Sequence, residues 1–453
     1  MKFINGDDPI GNMPEDISSF GYKQELKREI SWIDVFTYSL VFMVPIAPWG
    51  IYGIVASLSN GMPALAYLLG MLGMMPTAYA YFLMVREFPL AGSVYNYAQR
   101  AVNPFYGFIA GISIMLDYFL VPGLVYVVAA LAMNTIIPQI PYQAWVLIFL
   151  VPMTTISVLG IKLTARANNT LLAIELAALV IFFVLSIAYI ITRHIPLSID
   201  PLYNASSFKI SSILNAASIA VLSYLGFDAA TTLAEEHRGK AEFVGRAVVL
   251  SVLAIGIMFI SQTYLAYLVY PTYQFSNPDT AFYDVAQTVG GLLMLSVATI
   301  STAIAWGIGD GLNATTAIAR IIYAMGRDGF LPRAVAKVHS KFGTPWVATI
   351  IGGAISTLIA ILVPLDLLVS LVNFGALTAF ILLHIAAIYY FTYRKRHILY
   401  VLIPIAGLIV LVPIWWGLSM DAKILGAAWL SLWLIYMAVI TRGFRSKLLV
   451  PGM

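Results

Sequence analysis

One stretch of the sequence decides the fold: Val44-Pro45-Ile46-Ala47-Pro48-Trp49-Gly50-Ile51-Tyr52-Gly53, in the middle of the first long apolar segment. Its two prolines each remove a backbone donor and clash with the preceding turn, and its two glycines add backbone freedom, so an α-helix cannot continue through it. Inside a bilayer, unpaired backbone groups are tolerated only where protein or a water-filled cavity surrounds them. The stretch therefore predicts a transmembrane helix that is broken at mid-depth and lines a site, as in transporters.

The composition is that of a polytopic membrane protein. Of 453 residues, 61% are hydrophobic and 10% are charged, whereas soluble domains carry about 25% charged residues. The mean hydropathy is +0.89. The chain has no cysteine and five scattered histidines, which predicts no disulfide, no metal site and no cofactor. The net charge of +4 comes from basic residues in short loops, so membrane topology explains it without a nucleic acid partner.

Twelve apolar runs are long enough to cross a hydrocarbon core of roughly 30 Å. They lie at about residues 31–58, 62–85, 104–137, 143–161, 168–192, 210–234, 244–270, 290–324, 345–364, 367–392, 398–418 and 423–441. If the N-terminus is cytoplasmic, 22 of the 25 Lys and Arg residues fall on the cytoplasmic side, and only Arg193, Lys209 and Lys423 fall outside. This asymmetry predicts twelve spans with both termini in the cytoplasm. The polar residues 1–30 contain no basic-then-apolar leader, so we expect them to remain as a cytoplasmic segment.

A second break is expected in span 6, where Ser223-Tyr224-Leu225-Gly226-Phe227-Asp228-Ala229-Ala230 places a glycine among polar and aromatic residues. It lies five spans after the first break, and an odd number of spans reverses the direction of the chain. Residues 31–192 and 210–392 are therefore predicted to be inverted repeats of five helices whose broken first helices face each other. Residues 398–441 would add two accessory helices, and residues 442–453 a cytoplasmic tail. Alternatively, Gly226 only allows two helices to pack closely.

Three other stretches carry a family resemblance. They are Ala91-Gly92-Ser93-Val94-Tyr95 before span 3, Gly226-Phe227-Asp228 followed by Glu235-Glu236 in span 6, and Tyr323-Ala324-Met325-Gly326-Arg327-Asp328-Gly329-Phe330-Leu331-Pro332 after span 8. Together they resemble the amino acid–polyamine–organocation (APC) superfamily over nearly the whole chain. The resemblance implies an all-α integral membrane protein with 12 transmembrane helices and the LeuT-type fold. In that fold two five-helix repeats are inverted, helices 1 and 6 are broken, and substrate binds between the breaks.

The first break departs from the usual pattern of amino acid carriers in this superfamily. They commonly have a Gly-Ser-Gly or Gly-Ala-Gly break, whose free amides and helix dipole hold the substrate carboxylate, whereas this chain has Pro48-Trp49-Gly50-Ile51-Tyr52-Gly53. Residues 44–53, Leu116-Asp117-Tyr118 in span 3 and Thr164-Ala165-Arg166-Ala167-Asn168 before span 5 are together most similar to the putrescine importer branch. That resemblance implies a polyamine substrate.

Four acidic residues fall inside predicted spans: Asp117, Glu175, Asp228 and Asp310. Each costs about 2.5 to 3.5 kcal/mol at mid-membrane. No Lys or Arg occupies a comparable position, and only His384 in span 10 is a possible partner. The excess of buried acid indicates that positive charge arrives from outside, as a cationic substrate, a proton or sodium.

A diamine such as putrescine needs an acid at each end and an apolar or aromatic sleeve between them. Asp228 at the second break and Asp117, beside Tyr118, are the candidates for the two ammonium groups. Tyr118 is itself a candidate binding residue, and the others lie at the breaks: Trp49, Gly50, Tyr52, Gly53, Tyr224, Gly226 and Phe227. The four aromatic rings among them could form a cation–π wall, or could equally serve ordinary helix packing.

Glu175 and Asp310 are the candidates for ion coupling. The resemblance places Glu175 in the region of span 5 where several proton-coupled relatives carry a lysine, so a carboxylate there would bind substrate or carry the coupling proton. The alternative is a buried acid that is hydrogen-bonded between helices. Asp310, followed by Asn313, Thr315 and Thr316, is a candidate cation site, or else it caps a turn that neighbouring glycines loosen.

The sequence therefore favours a secondary transporter that imports putrescine or a related polyamine across the plasma (inner) membrane, driven by protons, through alternating access. The alternative is a proton-coupled amino acid permease. The catalytic His, Ser or metal set of an intramembrane enzyme and the phosphate-binding loop of an ATP-driven pump have no counterpart in the sequence. The exact polyamine, proton versus sodium coupling, symport versus exchange and the oligomeric state stay open at this point.

Overall fold

The computed structural model describes residues 20–441 except residues 22, 24, 25, 138, 363 and 364. Helices account for most of the described chain, and the only β-structure in it is a single bridge between Ile30 and His237. The α-helices are α1 (Trp32–Met43), α2 (Pro48–Leu58), α3 (Pro63–Glu87), α4 (Val94–Ala101), α5 (Pro104–Ile136), α6 (Tyr142–Leu159), α7 (Ile161–Thr192), α8 (Ile210–Ala220), α9 (Ala241–Val269), α10 (Ala281–Ile304), α11 (Gly311–Arg327), α12 (Trp346–Leu362), α13 (Leu365–Tyr389), α14 (Leu402–Trp416) and α15 (Met420–Ile440).

The helices follow the predicted spans in order along the chain. Nine helical segments among the described residues are long and apolar enough to cross a membrane, and α1 and α2 form a bent pair that reaches this length together. Two further segments, residues 143–159 and 346–356, are apolar but shorter. The all-α membrane fold is confirmed, whereas the total of twelve spans stays a prediction.

The first span is broken as predicted. α1 begins with a capping box, in which the Ser31 hydroxyl accepts from the Asp34 amide at 3.3 Å and the Asp34 carboxylate accepts from the Ser31 amide at 2.8 Å. α1 ends before Val44, whose φ of 50° leads the chain out of the helix, and α2 begins at Pro48 with its axis 52° from that of α1. Proline at the first position of a helix costs no hydrogen bond, because the amide there has no helical partner. The prolines therefore fix where the second half of the span starts.

The sixth span is broken at Leu225 and Gly226. α8 passes into a 3-10 turn at Val221–Tyr224, Leu225 is extended with φ −67° and ψ 147°, and a second 3-10 helix occupies Asp228–Glu236. Gly226 has a φ of 111°, and a Cβ there would lie 2.6 Å from Cγ of Phe42 in α1. Only glycine meets both conditions. The residue therefore breaks the span and also lets the two broken helices touch.

Helix α5 lies at the centre of the bundle. It packs against α4, α6, α11, α12 and α13, while α1 packs against α7 and α9. α14 lies on α3 and α13, and α15 lies on α13 and α5, so the last two helices cover the outside of the core. Near the middle of α5, the Tyr118 ring lies 6.2 Å from the ring of Phe42, which also contacts Gly226, so both breaks lie close to this part of α5.

Candidate functional site

A small cavity lies where the two breaks meet α5. Its volume is ≈ 30 Å³, about the room that one or two water molecules occupy, so side chains must move before a diamine can enter. The lining comes from the first break, one face of α5, the second break and the turn after α10. The lining residues are Phe42, Met43, Val44, Ala47, Asp117, Tyr118, Val121, Leu124, Val125, Leu222, Ser223, Leu225, Gly226, Trp306 and Asp310.

Asp117 faces this cavity from α5. Its side chain is 1% exposed, and neither carboxylate oxygen has a hydrogen-bond partner among the described residues. A buried carboxylate without a partner is costly, since it has lost its water shell and gained nothing in return. Asp117 therefore offers two acceptors that an ammonium group could use.

The Asp228 carboxylate is held by tyrosines. The Tyr118 hydroxyl donates to Asp228 Oδ2, and the Tyr81 hydroxyl of α3 donates to the same oxygen at 3.4 Å. Asp228 Oδ1 has no partner in the described chain. Tyr118 lines the cavity and Asp228 does not. The Tyr118 side chain thus links the cavity to the acid at the second break.

Asp310 reaches the cavity from a π-helical turn, Ala305–Asp310, between α10 and α11. π-helical turns are rare and often occur at functional sites. Oδ1 of Asp310 and the indole nitrogen of Trp306 in the same turn both lack a hydrogen-bond partner among the residues described. The turn therefore adds an acid and an aromatic ring to the cavity.

Glu175 of α7 lies behind this turn and does not line the cavity. Both of its carboxylate oxygens are buried without a hydrogen-bond partner in the part of the chain that the structure describes. A Cβ at Gly309 would lie 3.4 Å from Glu175 Oε1, so the acid abuts the residue that precedes Asp310. The alternative prediction, a Glu175 side chain that is hydrogen-bonded between helices, therefore finds no partner residue in the described chain.

The polar residues that follow Asp310 are bound to other helices. Asn313 Oδ1 accepts from the side-chain amide of Asn168 at 2.9 Å, and the hydroxyls of Thr316 and Ser157 are 2.7 Å apart. Within the described residues, no group of three His, Cys, Asp or Glu side chains is arranged to hold a metal ion. A cation site at Asp310 stays a prediction, and these neighbours do not turn towards it.

Two of the predicted aromatic residues lie on α2, outside the cavity lining. The Trp49 ring stacks on Phe282 of α10, with centroids 4.8 Å apart and an interplanar angle of 12°. The Tyr52 ring packs against Phe275 with centroids 6.1 Å apart. The bend between α1 and α2 turns this face of α2 towards the loop before α10 and towards α10 itself, so the rings pack there and not at the acids.

The two glycines of α2 also contact protein. Gly50 lies against the Trp306 ring, since a Cβ on it would be 3.0 Å from Trp306 Cζ2. Gly53 lies against the backbone of Pro278, whose carbonyl oxygen would be 2.3 Å from such an atom. The Trp306 side chain therefore separates Gly50 from the cavity, and Gly53 packs on the loop between α9 and α10.

The aromatic residues of the second break pack between helices. The Tyr224 hydroxyl donates to the Tyr67 carbonyl at 2.8 Å, and the Phe227 ring lies edge-on to Tyr81 with centroids 5.8 Å apart. Neither residue lines the cavity. For Tyr224 and Phe227, as for Trp49, Gly50, Tyr52 and Gly53, contact with a substrate stays a prediction.

Sequence reasoning does not identify three residues that shape the site, namely Phe42, Tyr81 and Trp306. Phe42 and Trp306 line the cavity, and Tyr81 donates to Asp228. Trp306 stands directly before a run of alternating glycines, and Phe42 stands two residues before the first break, so position gave a signal for both. Tyr81 lies in the middle of span 2, where nothing in the local sequence distinguishes it.

Acids at one end of the bundle differ from those at the cavity. Glu236 Oε1 lies 2.6 Å from Arg320 Nε, and Glu235 Oε1 lies 3.2 Å from Arg327 and accepts from the Ala91 amide at 2.8 Å. We call Glu235, Glu236, Arg320 and Arg327 the paired-acid cluster. Ala91, Glu235 and Arg327 belong to the three stretches of family resemblance, which meet here, at the end predicted to face the cytoplasm. The cavity lining, within the described chain, contains no Lys, Arg or His.

Comparison with known proteins agrees with this architecture. Residues 35–442 match the family model described as amino acid permease. The low-affinity putrescine importer PlaP of Escherichia coli is 29% identical over 446 residues, which cover 96% of this chain and 98% of the relative. The branched-chain amino acid permease BcaP of Bacillus subtilis is 25% identical over 402 residues, covering 82% of this chain and 83% of the relative.

A solved structure has the same fold. The crystal structure of MhsT in complex with L-phenylalanine is similar with a TM-score of 0.62 at 16% identity, over 86% of this chain and 99% of MhsT. The similarity confirms the LeuT-type fold, with inverted repeats and broken helices 1 and 6. At this identity it bears on the fold alone.

Proposed function

Because the chain belongs to the amino acid permease family of multi-span membrane transporters, we propose that it imports putrescine or a related polyamine across the plasma membrane. Transport would be coupled to protons and would proceed by alternating access, with both termini in the cytoplasm. The observation that carries the proposal is the set of unpaired acids at the cavity. The negative charge of these acids fits a dicationic substrate such as putrescine and does not fit a zwitterionic amino acid.

The acids Asp117 and Asp310 line the cavity, and Asp228 lies directly behind Tyr118. A cation that enters this site supplies the hydrogen-bond donors and the charge that the described protein groups do not supply there. One ammonium group of putrescine would bind Asp117. The other would bind Asp228 through its open Oδ1, with the Tyr118 hydroxyl kept on Oδ2.

The backbone of the first break is a poor site for a carboxylate. Pro45 and Pro48 have no N–H group, and the amides of Ala47, Trp49 and Gly50 donate to carbonyls three residues earlier at 2.7, 2.9 and 3.1 Å. Helix N-termini bind anions through free amides, and these amides are already used. An amino acid would find few donors for its carboxylate at this break.

The relatives support both the proposal and one alternative. PlaP, named as a putrescine importer, is similar over nearly its whole length, which favours a polyamine. BcaP, named as a branched-chain amino acid permease, is similar over 83% of its length. A proton-coupled amino acid permease is therefore the second candidate, and the paired amides of the first break argue against it.

Uptake by the purified protein in proteoliposomes tests the proposal. We expect labelled putrescine to accumulate when the outside is acidic and the inside alkaline, and a protonophore to abolish the accumulation. Cadaverine should compete, because it also carries two ammonium groups, whereas leucine and arginine should not. Displacement by leucine or arginine without displacement by cadaverine would establish the amino acid alternative.

Coupling is assigned to Glu175, since it is buried beside the π-helical turn and has no described partner. A substrate cation in the cavity that Asp310 lines and a proton on Glu175 behind it would influence each other, because burial favours the neutral acid and a nearby cation favours the ionised one. Glu175→Gln should keep putrescine binding within roughly threefold of the wild type and should remove the dependence of uptake on the pH gradient.

The matched control for this variant is Glu242→Gln, in the first turn of α9, where the acid pairs with Arg246 on the surface. This control should transport like the wild type at every pH. If Glu175→Gln still shows steep pH dependence that a protonophore abolishes, the coupling proton is carried by another residue.

A further inference from the structure

A second, wholly apolar groove lies on the outside of α5, away from the substrate cavity. It has a volume of ≈ 360 Å³ between α5, α11, α12 and α15, and only apolar atoms face it. Its walls include Leu116, Phe119, Ile351, Ile355, Val335 and Trp433. The volume is within the range of about 300–1,000 Å³ that ligand-sized pockets have. The groove is therefore large enough for an elongated apolar ligand.

Two cations stand in the chain segment that forms one wall of this groove. Pro332 and Val335 line it, and two cations close to them in the chain, Arg333 directly after Pro332 and Lys337 two residues after Val335, are exposed. Neither cation forms an ion pair with any residue in the described part of the chain. An apolar groove whose wall segment carries two exposed cations complements a molecule with a long hydrocarbon part and an anionic head.

We propose that the groove binds one acyl chain of an anionic phospholipid, whose headgroup phosphate is held by Arg333 and Lys337. Basic clusters between transmembrane helices at the cytoplasmic surface attract anionic headgroups in this way. A second copy of the chain could also cover an apolar groove, but it would have to supply negative charge opposite Arg333 and Lys337. The proposal does not depend on which substrate the central cavity takes.

The groove and the cavity share one part of α5. Asp117 and Tyr118 face the cavity, while Leu116 and Phe119, their immediate neighbours, face the groove. An acyl chain in the groove packs against the reverse side of the turn that carries Asp117. The lipid therefore supports the segment that presents the candidate ligand groups.

Lipid binding to the full chain tests this proposal. Delipidated protein in detergent is titrated with dioleoyl phosphatidylglycerol or dioleoyl phosphatidylcholine, and adducts are counted by native mass spectrometry alongside the thermal unfolding midpoint. We expect phosphatidylglycerol to bind more tightly than phosphatidylcholine and to raise the midpoint. The double variant R333Q/K337Q should lose roughly tenfold to thirtyfold in affinity for phosphatidylglycerol and keep its weaker binding of phosphatidylcholine.

The matched control is R394Q/R396Q, which removes two exposed cations from the same predicted face, where neither adjoins the groove. It should bind phosphatidylglycerol like the wild type. Filling the groove with Ile351→Trp or Ile355→Trp should remove the phosphatidylglycerol adduct. Unchanged phosphatidylglycerol affinity in R333Q/K337Q, or a lipid-free dimer of the wild type that Ile351→Trp dissociates, would overturn the proposal.

Discussion

The acids of the paired-acid cluster and the acids around the cavity are similarly buried. The first have arginine partners, whereas the second have no cation partner among the described residues. Glu235 and Glu236 are 1% exposed and each lies beside an arginine. Asp117, also 1% exposed, has no partner among the described residues. Asp228 stands between the two cases, because its partners are neutral tyrosine hydroxyls.

The difference lies in where the compensating charge comes from. At the paired-acid cluster the protein supplies it, and the resulting pairs join the 3-10 helix after the second break to α11. At the cavity no described cation supplies it, so the acids are free to respond to a ligand. A buried acid with its own cation has a structural role, and a buried acid without one is poised for a cation that comes and goes.

The largest expected loss of stability is in the paired-acid cluster. Arg320→Met leaves Glu236 buried without its cation, and breaking a buried ion pair in this way costs about 3–5 kcal/mol. We expect a clearly lower thermal unfolding midpoint in detergent. The double variant Glu236→Gln/Arg320→Met should recover most of the loss, because it removes the stranded charge.

The control for this variant is Arg246→Met, which breaks an ion pair of similar length, 2.5 Å, whose arginine side chain is 54% exposed. It should cost at most about 1 kcal/mol, since exposed pairs contribute little. If Arg320→Met and Arg246→Met lower the unfolding midpoint equally, burial does not increase the contribution of the ion pair to stability.

A smaller effect is expected at Asp228, whose partners are neutral. Tyr118→Phe removes the hydroxyl that donates to Asp228 Oδ2, and a buried acceptor that loses its donor costs about 1–3 kcal/mol. Tyr81→Phe should cost less, because its hydroxyl is 3.4 Å from that oxygen and the bond is weak. Thermal unfolding of both variants ranks them, and a larger loss in Tyr81→Phe would reverse the assignment of the main donor.

The smallest effect on stability is expected at Asp117. Asp117→Asn keeps the shape of the side chain and removes no described hydrogen bond, so we expect the unfolding midpoint to stay level or to rise, with any loss of stability at most about 0.5 kcal/mol. A loss as large as that of Arg320→Met would show that the ligand-free protein already neutralises Asp117.

The sequence allowed the breaks and the acids to be predicted, because both follow from local chemistry. Pro45 and Pro48, three residues apart, each remove a backbone donor and favour a break, Gly226 adopts a conformation that favours glycine, and an acid inside an apolar run is conspicuous by cost alone. These features need no knowledge of neighbouring helices. The two broken helices were therefore predictable from local chemistry, whereas the family and the LeuT-type fold followed from the resemblance of three motifs.

The directions in which the side chains point could not be predicted from the sequence. Trp49 and Tyr52 stand next to the first break, but the 52° bend sends them towards Phe282 and Phe275. Tyr81 reaches Asp228 from another helix. Such contacts depend on how helices rotate and pack against each other, which no local pattern encodes.

Ligand binding by Asp117→Asn tests the central claim, that the unpaired acids at the cavity are completed by a cationic substrate. The measurement compares the affinities of the wild type, of Asp117→Asn and of the exposed control Asp421→Asn for putrescine and for 1-aminobutane, which has the same carbon chain and a single ammonium group. The wild type and Asp421→Asn should prefer putrescine at least about tenfold, since a hydrogen bond to a charged group contributes about 1.5–3 kcal/mol. Asp117→Asn should bind the two amines within roughly threefold of each other. If Asp117→Asn keeps the full preference for the diamine, Asp117 does not bind an ammonium group, and the account of the site is wrong.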